Sequence, residues 1–338
     1  MGTKWIEESR LGVALLMAVL ALVGCSSATH GDPQGVEVMP TLTPASLGEG
    51  GKLRVVATTS IVADVVRNVG GDLIELSRLM PLGADPHAFQ PTPQDAVAVR
   101  EAHVVFINGA GLEIFIEDLL ESAGAETPIV PVSHGIELLE PLGEAHPDDE
   151  HDDDEHDHGE VDPHTWFDPH NVQVWVDNIE AVLSTLDPAN RAAYEHNAEA
   201  YRSELTALDA WIQDQIATVP EARRYLVTDH VVLTYFVARY DLEQLGVITA
   251  GASTLAEPSA QELAGLVEAI REYDVPAVFV STTVNPRLAD QIARDTGTEV
   301  VTLYTGSLSD EGGPASTYLD FMRYNVAQIT EALRAGEE

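Results

Sequence analysis

Three histidines stand where a turn or a strand end would present them: His87 in GADPHAFQPTP, His164 in DPHTWFDPHN and His230 in LVTDHVVLTYF. Each follows an acidic residue within two positions. An imidazole that binds a metal offers one ring nitrogen to the ion and needs an acceptor for the other, which a neighbouring carboxylate or loop carbonyl supplies. Singly, such histidines cap turns or face solvent; together they describe a site for a divalent cation. Three neutral imidazoles form a borderline-soft donor set that suits Zn²⁺, whereas Mn²⁺ sites include more carboxylate oxygen. Catalytic zinc uses the same three ligands with an open fourth position to activate water, so a zinc hydrolase is the enzyme alternative. Neither an HExxH helix nor a G-x-S-x-G turn supports it.

The other histidines read differently. His170, six residues beyond His164, caps a turn or faces solvent. His103 opens the apolar strand HVVFING, His134 sits in VSHG and His196 falls inside a long helix, all structural settings. Trp166, Phe167, Tyr235 and Phe236 are expected to line the cleft or core and keep water from the ion. Residues 144–162 (EAHPDDEHDDDEHDHGEVD) hold eleven acidic residues and four histidines in nineteen positions. Carboxylate repulsion should keep this tract extended and disordered, as a weak multisite cation trap or a solvated acidic loop.

The elements that must position the candidate ligands follow a βαβ rhythm. Strands are expected at 53–59, 73–80 and 103–109, with helices at 60–71 and 112–122. The rhythm returns with strands at 224–229, 276–281 and 299–304, and helices at about 231–240, 286–296 and up to 333. Between the two sets, Asp187-Pro188 supplies an N-cap and first-turn proline, and 189–219 runs without Gly or Pro until Pro220. One helix on the order of 45 Å long would join two α/β lobes as a stiff spine.

The N-terminus sets the compartment. Leu11–Val23 is an apolar run of 13 residues behind Lys4 and Arg10, too short to cross a bilayer and suited to a signal peptide. Leu22-Val23-Gly24-Cys25-Ser26-Ser27 then resembles a bacterial lipobox, with Cys25 the lipidated residue. Cys25 is the sole cysteine of the chain, so its use leaves no thiol for disulfides or metal. The chain is thus divided into a signal peptide 1–24, a flexible tether 25–51, a first lobe 52–186 carrying the acidic tract, the spine 187–220 and a second lobe 221–338. The balance of 56 acidic against 17 basic residues, a formal net charge of −39, excludes nucleic acid as a partner, because phosphate binding needs clustered Lys and Arg.

Several motifs in order carry a family resemblance: ATTSIVADVVRNVGGD (57–72), MPLGADPHAFQPTPQD (80–95), DPHTWFDP (162–169), DPANRAAYEHNAEAY (187–201), TDHVVLTYF (228–236), AEPSAQEL (256–263) and TYLDFMRYN (317–325). Over about residues 52–338 the chain resembles the zinc and manganese solute-binding lipoproteins of bacterial ABC importers. The resemblance implies an α/β fold of two lobes, each with a four-stranded parallel sheet and surrounding helices, joined by a rigid helix. One metal would lie in the cleft on His87 and His164 of the first lobe, His230 of the second, and position 285. Zinc carriers of that family often have His at the third position and manganese carriers Glu, so His230 favours zinc over manganese or iron. Asn285 departs from the Asp common at the fourth, which leaves Asn285, water or a nearby carboxylate to fill it. The implied partners are an ABC permease and its ATPase, a divalent metal ion, and the membrane through the Cys25 lipid. A monomer outside the cytoplasm, working as a carrier rather than an enzyme, is expected, with an adhesin role as a further reading.

Overall fold

The computed structural model describes residues 39–335 apart from 49, 125, 143–160, 250 and 257. The signal peptide, Cys25 and nearly all of the acidic tract lie outside the described residues. The first sheet is built from β1 (Leu53–Ala57), β2 (Ile74–Arg78), β3 (Val104–Ile107) and β4 (Ile129–Pro131), in the order β2-β1-β3-β4. The second repeats the arrangement with β5 (Tyr225–Thr228), β6 (Glu243–Val247), β7 (Ala277–Ser281) and β8 (Glu299–Leu303), in the order β6-β5-β7-β8. Every pairing is parallel. In each sheet the chain steps to one side of the first strand and then to the other, and ligands in such folds bind beyond the strands' C-terminal ends at that reversal.

The central strands are apolar on both faces because both faces are covered. Leu53, Val55 and Ala57 of β1 point into the core shared by the two lobes, while Val56 points into a cluster with Val99, Val105 and Leu119. Strand β7 alternates likewise: Ala277 and Phe279 face the shared core, and Val278 and Val280 face Leu266, Ile270 and Ile292. The covering helices are α1 (Ser60–Gly70), α2 (Pro93–Glu101), α3 (Ile116–Ala123) and α4 (Pro169–Leu186) around the first sheet, with α6 (Thr234–Tyr240), α7 (Ala260–Glu272), α8 (Arg287–Thr296) and α9 (Tyr318–Arg334) around the second. Among the described residues, no helix is long and apolar enough to cross a membrane.

Between them runs α5 (Arg191–Ile216), 26 residues and roughly 39 Å long. Tyr194, Ala198, Tyr201, Leu205, Leu208, Ile212 and Ile216 recur every three or four positions and bury one continuous stripe, against α1 and α4 of the first lobe and α9 of the second. Its start differs from the expectation. Asp187 closes α4, and its carboxylate accepts from Asn190 Nδ2 at 2.7 Å and Tyr194 Oη at 3.0 Å, so a turn separates the two helices and α5 begins at Arg191.

Two other expectations are corrected. Residues 39–48, counted with the tether, belong to the folded body: Met39, Leu42, Ala45 and Leu47 pack on the shared core, and Ala45 N donates to Leu186 O at 2.8 Å. The helix expected from 112 begins only at Ile116. Gly109, Ala110 and Gly111 all have positive φ, which breaks helical geometry, and the buried Glu113 accepts from Asn108 N at 2.7 Å, Gly109 N at 3.1 Å and Thr58 Oγ1 at 2.5 Å. The loop is tied to β1 and β3 instead of winding up.

Candidate metal centre

His87, His164 and His230 meet at the C-terminal edges of the two sheets. His87 lies on the loop from β2 to α2, His164 on the approach to α4, and His230 two residues beyond β5. Their ring centroids are 5.1, 5.7 and 5.3 Å apart, and ligand-capable nitrogens of all three lie within 4.8 Å of one another. His87 Nε2 and His164 Nε2 are 3.1 Å apart, near the ~3.4 Å separation that two ligands of a tetrahedral zinc require at Zn–N of about 2.1 Å. Among the described residues this is the one cluster of three or more His, Cys, Asp or Glu with such geometry.

Two carboxylates fix the rings. Asp162 Oδ1 lies 2.6 Å from His164 Nδ1 and 2.8 Å from His164 N, and Asp229 Oδ1 lies 2.8 Å from His230 Nδ1 and 2.9 Å from His230 N. An ionised carboxylate only accepts, so each Nδ1 carries the hydrogen and each Nε2 presents a lone pair. The gap between His87 Nε2 and His164 Nε2 must then hold a proton or a metal ion. Asp229 is anchored further by Ser281 N on its Oδ2 at 2.7 Å. Asp162, His164, Asp229 and His230 are all buried, so the two carboxylates would together balance the charge of a divalent cation held by the three imidazoles.

Burial holds His87 and His164 neutral, the form that can bind a metal. The His87 pKa is pushed down to about 2, first by burial and then by His164 and His230. Burial also lowers His164 against the pull of Asp162. Burial alone would raise Asp162, but the His164 donors hold it below the usual carboxylate range.

Trp166 stacks edge-on against His164 at 5.1 Å and donates from Nε1 to Thr305 O of the second lobe, while Tyr318 Oη donates to Trp166 O. Tyr235 Oη donates to Asp162 O at 2.8 Å and accepts from Leu139 N at 3.2 Å. These buried aromatics stand beside the site and bond one lobe to the other.

A model of the family described as "ZnuA: Zinc-uptake complex component A periplasmic" matches residues 55–332. The chain belongs to this family. It is 34% identical over 287 residues, 85% of this chain and 89% of the other, to the manganese-binding lipoprotein MntA of Halalkalibacterium halodurans. It is 31% identical over 281 residues, 83% and 86% of the two chains, to the iron-binding protein YfeA of Yersinia pestis. Among solved structures, the periplasmic zinc binding protein TroA of Treponema pallidum superposes with a TM-score of 0.74 at 26% identity, covering 84% of this chain and 99% of that one. The two-lobed α/β fold and the metal-importer family expected from the motifs are both found, and the family is one of solute-binding proteins.

Within this frame the remaining sequence candidates separate cleanly. Asn285 does not join the imidazoles: it is exposed in the loop before α8, and its Oδ1 accepts from Arg287 N at 3.1 Å. His170 is exposed in the first turn of α4, His196 is exposed on α5, and His103 uses Nδ1 to accept from Arg54 N at 2.8 Å. Asp162, counted with the acidic tract, is fully buried and orients a ring. The tripeptide Asp-Pro-His occurs at 85–87, 162–164 and 168–170, and each time the aspartate Oδ1 accepts the histidine N–H. Only at 162–164 does the same oxygen also take the ring, because only there are both residues buried. Sequence reading missed the hydroxyls that tie the lobes at the site: Ser60 Oγ accepts from Leu308 N at 2.9 Å, and Thr254 Oγ1 donates to Asp85 Oδ2 at 2.6 Å. No local pattern marks such long-range partners.

Proposed function

We propose that this chain captures zinc outside the cytoplasm, as the substrate-binding component of a metal ABC importer, with His87, His164 and His230 as ligands and water in the fourth position. The observation that carries zinc is the donor set: three imidazole nitrogens, two of them backed by buried carboxylates, and no carboxylate oxygen among them. Nitrogen-only sites favour zinc, whereas a harder manganese ion gains most from oxygen ligands. Relatives named for manganese, iron and zinc show that the fold carries several ions, so the ligand atoms decide. The holo-protein would deliver its ion to a permease driven by an ATPase, held at the membrane as a monomer by a lipid on Cys25.

The deciding experiment offers metal-stripped protein equal Zn²⁺, Mn²⁺, Fe²⁺ and Cu²⁺, dialyses it and counts bound ions by elemental analysis, with His230→Ala alongside. One retained zinc, lost in the variant, is the expected result. Preferential manganese or iron would overturn the ligand argument.

A further inference from the structure

The three ligands are not held alike. His164 and His230 are oriented at Nδ1 by aspartates of their own lobes, whereas His87 is half-buried and has no acceptor at Nδ1 among the described residues. What fixes His87 comes from across the cleft. Gly83 N donates to Ser307 Oγ at 2.9 Å, and Pro86 packs so closely on Gly306 that a Cβ there would come within 2.7 Å of Pro86 Cδ. Asp85 makes the third link: its Oδ1 accepts from His87 N at 3.0 Å, and its Oδ2 accepts from Thr254 Oγ1 of the second lobe at 2.6 Å. Separating the lobes therefore strips partners from the His87 loop and leaves the other two ligands oriented.

Resting on the zinc-carrier reading, we infer that the Asp85–Thr254 hydrogen bond is the latch that positions His87, and that Thr254 sets how long the ion is retained. Thr254 touches no ion and is a positioning residue. His164 and His230 form the fixed half of the site; His87 is the ligand that closes over the cargo and leaves first. A hydrogen bond to a charged carboxylate, at this short distance, is strong enough for its loss to speed release about tenfold.

The test is stopped-flow zinc release into a chelator for wild type, Thr254→Val and Thr254→Ser, with hydrogen–deuterium exchange of residues 81–90 in the metal-free proteins. Thr254→Val should release zinc about tenfold faster and exchange faster over 81–90, with its association rate unchanged. Thr254→Ser should restore both. Equal release rates for Thr254→Val and wild type would overturn the latch, as would faster exchange across the whole protein. A wild type that retains no zinc would instead overturn the carrier reading, while exchange over 81–90 would still decide whether Thr254 holds the His87 loop.

Discussion

Replacing Asp162 by Asn tests whether the buried carboxylates serve the metal or merely the fold. The Asp162 oxygen that lies 2.6 Å from His164 Nδ1 also accepts the His164 amide, and the side chain is fully buried. Asn keeps the size and an acceptor oxygen and removes the charge. A unit charge acting on a divalent ion roughly 6.5 Å away, through one imidazole, contributes about 5 kcal/mol at an effective dielectric of ~20. That is an upper limit, because protons take the place of the cation in the metal-free site. Outer carboxylates of metal-bound histidines cost about 10–100-fold in affinity when removed, and the loss expected here is at the upper end of that range because the group is dry.

The metal-free protein should respond more weakly. Asp162 Oδ2 makes no hydrogen bond of good geometry among the described residues, although the Thr234 hydroxyl lies near enough to lower its pKa. Its depressed pKa means that the charged form is favoured in the fold, so Asp162→Asn should lower the metal-free Tm at neutral pH, though by less than it weakens zinc binding. Competition against a chelator of known affinity gives the first number and thermal unfolding the second. An affinity within threefold of wild type would refute the charge-balance argument. A metal-free stability loss as large as the loss in zinc-binding free energy would show that Asp162 serves the fold alone.

Other residues give sharper single tests. Asp64 on α1 accepts from Tyr318 N at the start of α9 at 2.9 Å, and burial raises its pKa from 3.8 to about 6. A raised carboxylate stabilises most below pH 3.8 and loses that contribution as pH rises through 6, so Asp64→Asn should gain up to about 3 kcal/mol over wild type above pH 6 and nothing below pH 4; urea unfolding of both proteins from pH 4 to 7 checks it, and a pH-independent difference would refute it. His103→Ala removes the acceptor of Arg54 N and should cost about 1 kcal/mol in urea unfolding while zinc stoichiometry stays at that of wild type. Cys25→Ser should shift the protein from the membrane to the soluble fraction on cell fractionation, and unchanged partition would count against the lipid anchor.

The four central strands and the edge strands β2 and β8 were legible in the sequence, and the edge strands β4 and β6 were not. Strands β1, β3, β5 and β7 lie inside their sheets with both faces covered, so LRVVA, VVFI, YLVT and AVFVS read as apolar runs. Strand β4 is three residues ending in Pro131, and β6 is EQLGV, half-exposed and irregular in register beside Leu226 and Val227. Both lie at an edge, and one is too short and the other too polar to carry a hydrophobic run. The N-cap at Asp187 misled because its carboxylate has closer partners in Asn190 and Tyr194 than any helix amide.

The centre was legible as three residue types beside three carboxylates, and its asymmetry was not. Asp85, Asp162 and Asp229 stand in nearly the same local sequence relation to a histidine, and all three capture its backbone N–H. What separates them is the remaining valence of each carboxylate and the burial around it. Asp162 and Asp229 are enclosed and have no cheaper partner than the ring. Asp85 lies at the rim, where a hydroxyl from the other lobe reaches its second oxygen first. On the proposed zinc-carrier reading, one local motif thus makes two rigid ligands and one conditional ligand, and the condition is contact between the lobes. A carrier needs that combination: a site that held all three imidazoles from within one lobe would bind its ion as firmly when open as when closed.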